Sequence, residues 1–127
     1  MIDDALFSLL SNSAAISVLL IGKITPIVVP QNSLYPCITY STNLDQEDRT
    51  FDGQGTFGRV SVEVDAWADD YDGAIVLAKA ISDTLKNYRG TVSGVDIDSI
   101  YIDSVITVYE AEAEKYRRTQ VLTVIVQ

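Results

Sequence analysis

From Arg59 to Ala66 the chain alternates without a break: Val60, Val62, Val64 and Ala66 fall on one side, and Arg59, Ser61, Glu63 and Asp65 on the other. That period of two predicts a half-buried strand, with Trp67 continuing on its polar face. The period then lengthens. Ala74, Leu77, Ala78, Ile81, Leu85 and Tyr88 recur at helical spacing, with Lys79, Asp83 and Lys86 between them. This predicts an amphipathic helix that is capped by Asp69, Asp70 or Asp72, runs to about Tyr88 and is ended by Gly90. Burying Leu77, Ile81 and Leu85 contributes roughly 1.5–3 kcal/mol each, against about 1 kcal/mol for a good cap. The apolar stripe therefore holds this helix in place.

The flanking segments read in the same way. Ala5, Leu6, Leu9 and Leu10 make one apolar face after Asp3 and Asp4, either of which can cap a first helix. Ser11, Asn12 and Ser13 interrupt it, and Ser13 can cap a second short helix over 14–21 that Gly22 ends. Lys23 and the β-rich run after it contain Pro26 and Pro30, which predicts an edge strand or an extended arm. After a turn at 31–33, a strand is expected over 34–42. Residues 43–58 hold Asp45, Glu47, Asp48 and Asp52 with few large apolar side chains, as in a long hairpin loop projecting from the body. Residues 91–98 predict a short connection with a small strand. A long strand follows over 99–110, with Ile100, Ile102, Ile106 and Val108 on one face. After an acidic turn, a last strand over 116–127 is apolar on both sides, which suits a central strand covered on both faces. The order of elements predicts an α+β domain: an antiparallel or mixed sheet packed with a central helix and a short N-terminal helical pair.

Length and charge narrow the function. The 127 residues fit a single domain, 1–127, with 47% hydrophobic content and a formal charge of −9. That charge argues against coating nucleic acid, which needs clustered Lys and Arg. The acidic N-terminus is unlike a signal peptide, and no apolar run approaches the ~20 residues of a membrane span, so the chain is expected to be soluble. Cys37 is the lone cysteine and reads as a small buried hydrophobe. With no histidine, His-based acid–base catalysis and most transition-metal sites are removed, and no phosphate-binding glycine motif occurs. No cofactor or catalytic residue is expected.

The remaining signals are weak. Residues 69–73, DDYDG, resemble a calcium loop, but that register puts Ala68 at the first ligand position and Lys79 at the closing one. Glu110, Glu112 and Glu114 alternate in a turn. A carboxylate pair can hydrolyse glycosides, but a solvated hairpin tip explains them without a cleft. Arg117 and Arg118 form the one adjacent basic pair. They either pair with the nearby glutamates or contact an acidic patch on another subunit. Trp67 either covers the sheet under a helix or anchors an interface.

Several stretches, in this order, carry a resemblance: LLIGKI, ITPIVVPQ, LYPCITY, VSVEVDAWADDYDGAIVLAKAISDTL with DAWA at its corner, and YRRTQVLTVIV. Across nearly the whole chain they resemble the tail completion, or tail terminator, family of long-tailed bacteriophages. The resemblance implies a subunit of a ring, commonly hexameric, that sits on the last tail-tube ring in the virion. Such a ring stops tube growth and offers a surface to the head connector, with DNA only passing through, no membrane and no catalysis. Arg49, Arg59, Trp67, Arg117 and Arg118 would then lie at subunit contacts, and the acidic loop of Asp45, Glu47, Asp48 and Asp52 would line the lumen or dock a partner. The alternatives are a head-side neck or connector-completion subunit, and a small binding domain or carboxylate-based enzyme.

Overall fold

A computed structural model describes residues 2–43, 58–86 and 88–126. Among the described residues, three helices, α1 (Ile2–Ser11), α2 (Ala14–Ser17) and α3 (Tyr71–Leu85), accompany six strands: β1 (Ile24–Pro26), β2 (Cys37–Asn43), β3 (Gly58–Ala68), β4 (Gly90–Val92), β5 (Val95–Glu110) and β6 (Lys115–Val126). The strands form one sheet in the order β1-β2-β3-β6-β5-β4. Only β1 pairs in parallel, with β2, and the other pairings are antiparallel. The fold is the α+β class that the pattern predicts, with a mixed sheet.

The alternation of β3 sorts the two faces as expected. Val60, Val62, Val64 and Ala66 are buried together with Leu122 and Val124 of β6 and Ile38 and Tyr40 of β2. The stripe of α3 lies over them, and Ala5, Leu6 and Leu10 of α1 join the same core. The Gln120 side chain ties the two layers by donating from Nε2 to the Ala78 carbonyl at 2.9 Å. Asp70 is the residue that caps α3, accepting from the Gly73 N–H at 2.7 Å. The helix stops at Leu85, short of Tyr88. Tyr88 still packs against the core from outside the helix, and Gly90 opens β4.

Some boundaries shift for local reasons. α1 begins before Asp3 and Asp4, so Asp4 lies within its first turn, where the dipole favours its charge. Ser13 caps α2 as expected, and its hydroxyl also meets Thr84 Oγ1 at 2.9 Å. α2 is one turn rather than two, and the Pro36 carbonyl accepts from the N–H groups of Ile21 and Gly22. The strand expected from residue 34 starts at Cys37. A two-residue turn at Ser93 and Gly94, both at positive φ, closes the β4–β5 hairpin, the geometry that matches the twist of paired strands.

β5 departs most from its predicted phase. Its pairing with β6 slips between Ile97 and Ser99 and again between Ile102 and Ser104. Each bulge inserts one residue, Asp98 and then Asp103, and turns the side chains that follow to the other face. Ile100 and Ile102 therefore point toward α3, whereas Ile106 and Val108 point away. The last strand is central, as expected, but only one of its faces is covered among the described residues. Leu122 and Val124 are buried, whereas Val121 and Ile125 are half-exposed on the other side.

Candidate interface surfaces

No described helix packs on the sheet face opposite α3. At one end of that face a polar cluster is built across four strands. β2 places Thr39 opposite Asp65 of β3, which is opposite Thr119 of β6, and β3 places Trp67 opposite Arg117. The Trp67 indole donates to Thr39 Oγ1 at 3.0 Å, and the Thr39 hydroxyl donates to Asp65 Oδ2 at 3.1 Å. The Thr119 hydroxyl donates to the other Asp65 oxygen and accepts from Arg117 Nη1 at 2.6 Å. Arg117 also grips Glu110 on β5, with Nε 2.8 Å and Nη2 2.6 Å from Oε2, and its guanidinium lies 5.7 Å from the Trp67 ring centre. Trp67 thus lies on the uncovered face, not beneath a helix, and it is fixed by a hydrogen bond and a cation–π contact.

Neighbouring Arg118 points the other way, as successive strand residues must. Its Nη1 donates to Thr107 Oγ1 at 2.6 Å, and among the described residues no carboxylate lies within ion-pair distance of it. Around it on the α3 side stand Tyr71, Tyr109 and Tyr116, with ring centres 5.9 Å apart for Tyr71–Tyr116 and 5.0 Å for Tyr109–Tyr116. Val105, exposed, shares this side through its pairing with Gln120.

The opposite edge of the sheet carries the arm, 18–36. Val18, Ile21, Ile27, Val28 and Leu34 are all exposed there. Gly22 allows this path: a Cβ at that position would collide with the Leu34 carbonyl and the Cys37 Cβ.

The predicted site residues therefore separate. Trp67 and Arg117 come together, Arg118 lies on the other face of the same strand, and Arg59 stands exposed near the far end of β3. Arg49, Asp45, Glu47, Asp48 and Asp52 lie outside the described residues. Glu110 is not part of a free acidic tip, because it holds Arg117; Glu112 and Glu114 are exposed in the turn. Sequence reading missed Asp65, Thr39 and Thr119 as a cluster. The signal was present only as polar residues on the uncovered side of three strands whose pairing was not yet known.

Lys115 reaches Asp69 at 3.0 Å and lies 4.8 Å from the Tyr35 ring centre; its hydrogen bond to that carboxylate raises its pKa. Burial pushes the Cys37 thiol up to about 11, and the negative charge of Asp69 adds to the rise. The neutral thiol is the folded form. Its contribution to stability is present below pH 9 and is lost as the pH climbs from 9 toward 11, where the unfolded chain ionises first. At pH 8 a thiol reagent is expected to modify the folded protein about a hundredfold more slowly than the urea-unfolded chain. Equal rates in a stopped-flow assay would show Cys37 to be open.

Among the described residues no group of three or more metal-ligating side chains converges, and no helix is long and apolar enough to cross a membrane. Residues 4–127 match the family described as "Tail completion protein gp17". No curated protein matches the chain. A chain from the solved structure "Virion of native gene transfer agent (GTA) particle" has a similar fold, with a TM-score of 0.73 and 19% sequence identity, over 96% of this chain and 91% of that one.

Proposed function

This chain belongs to the tail completion protein gp17 family, a family of structural virion proteins rather than enzymes, and from that premise we propose that it closes into a ring capping the phage tail tube. The ring ends tube elongation, presents the surface on which the head is joined, and lets DNA pass without gripping it. The match over residues 4–127 carries this reading, because it takes in both sheet edges and the whole core. Two further observations support it. The similar fold is that of a chain from the virion of a gene transfer agent particle, and large apolar side chains stand exposed at both edges of the sheet. In this reading Arg59 and Arg118 supply contacts to neighbouring subunits, and Trp67 is held by Arg117 at the rim of an interface. Arg49 joins these contacts, and the acidic loop faces the lumen or a docking partner.

Self-repulsion opposes a ring whose subunits each carry −9. It is screened over about 8 Å at physiological ionic strength. Negative-stain images of the purified protein are therefore expected to show closed rings, scarce at very low salt and more abundant as salt rises. The rings should bind purified tail tubes at one end. Binding to head connectors but never to tubes would instead make the chain a head-side subunit. A solitary subunit at every concentration and salt, with or without tubes, would end the ring reading.

A further inference from the structure

The two exposed edges of the sheet differ in a way that suits them to each other. At the β1 edge, Ile27 is 74% exposed and sits at φ 66°, with the Val28 N–H turned back onto the Pro26 carbonyl at 2.7 Å. A β-branched residue at positive φ is costly, and here its side chain gains no cover within the described subunit. Farther along the arm, Ile21 and Leu34 border a shallow groove of about 290 Å³ that also takes in Lys23.

At the other edge, β4 pairs only with Val95, Asp96 and Ile97, which leaves the rest of β5 as an open edge among the described residues. Past the second bulge it runs Ser-Val-Ile-Thr-Val-Tyr, 104–109, without a charge, and Ile106 is 56% exposed. A long, uncharged, β-branched edge is a template for association unless something covers it.

Charge separates the two edges. The chain has 18 acidic residues, yet none between 5 and 44, where Lys23 is the sole charged side chain. β5 carries Asp96, Asp98 and Asp103, and Glu110, which holds Arg117. Two β5 edges meeting symmetrically would bring these acids together, and two arms meeting would leave both β5 edges bare. A head-to-tail contact covers both kinds of edge at once, sets the acid-free surface against the acidic one, and generates a ring if the rotation closes. Pro26 and Pro30 lack N–H groups, so the contact is made by side chains rather than by extending the sheet.

We infer that the arm of one copy, through Ile21, Ile27, Val28 and Leu34, seats on the β5 edge of the next copy, at Val105 and Ile106. This assignment rests on the ring reading above and names its interface. The test uses two full-length variants, Ile27→Glu with Val28→Glu, and Val105→Glu with Ile106→Glu. All four side chains are exposed, so circular dichroism and melting should match the parent. In mass photometry and sedimentation each variant alone is expected to lose ring formation. Mixed in equal amounts they should give one-to-one dimers and nothing larger, because one intact arm and one intact edge remain per pair. Rings from both variants, alongside rings from the parent, would overturn the interface and leave the ring reading standing. Monomeric variants that fail to pair when mixed, or a parent that stops at symmetric dimers, would also overturn it. A parent that remains solitary with and without tail tubes would remove the ring reading and this interface together, and would point to a different protein as occupant of these edges.

Discussion

Leu122→Ala is expected to cost about 2–5 kcal/mol of stability, read as a fall in the urea midpoint with an unchanged slope. The reason is position. Leu122 lies on the central strand, paired with Val62 on one side and Ile102 on the other. It is 0% exposed within the cluster that α3 and α1 close. Truncation removes its burial and leaves a cavity between two layers that cannot both relax onto it. Val121, its neighbour in sequence, points to the uncovered face, and Val121→Ala should cost about 1 kcal/mol or less in the isolated subunit. Equal losses from the two substitutions would mean that the second face is covered in the free subunit as well.

The second large effect lies on that uncovered face. Asp65→Ala removes the acceptor for the Thr39 and Thr119 hydroxyls and the partner of Arg117 at 3.7 Å. The Asp65 side chain is only 16% exposed, so water replaces these contacts poorly. A loss of about 1.5–3 kcal/mol is expected, the range for hydrogen bonds to a charged group. Thr39 also accepts the Trp67 indole N–H, so the tryptophan should loosen and its fluorescence shift to the red. Asp65→Asn keeps an acceptor and should lose less. An unmoved emission spectrum in Asp65→Ala would show that packing and Arg117 alone hold Trp67. Because Arg117 also has Glu110, its charge is not left bare in either variant.

These two sites mark how far the sequence could be read. The Leu122 layer was legible because the alternation of β3 and the helical spacing of α3 each state which face is buried. The polar cluster was not, because Thr39, Asp65 and Thr119 meet only through strand pairing, which a period of two does not specify. β5 shows the limit from another side. Ile100, Ile102, Ile106 and Val108 are each separated by an even number of positions and look like one face, yet a single extra residue at Asp103 reverses the last two. The relevant signal, an aspartate within an apolar strand, reads equally well as an ordinary outward-facing side chain. The end of α2 moved for a similar reason: the Pro36 carbonyl that meets the N–H groups of Ile21 and Gly22 comes from the far side of the arm. The acidic character of residues 43–58 was legible as a composition, and residues 44–57 lie outside the described residues.

β6 follows every other strand in sequence but lies between β3 and β5. Without β6 the remaining strands would fall into two groups, β1-β2-β3 and β4-β5, with no strand to join them. The core under α3 closes only when β6 slots in. A chain cut short before Lys115 would lack the central strand that fixes where the two outer edges of the sheet stand relative to each other, and it is expected to be unable to complete the sheet.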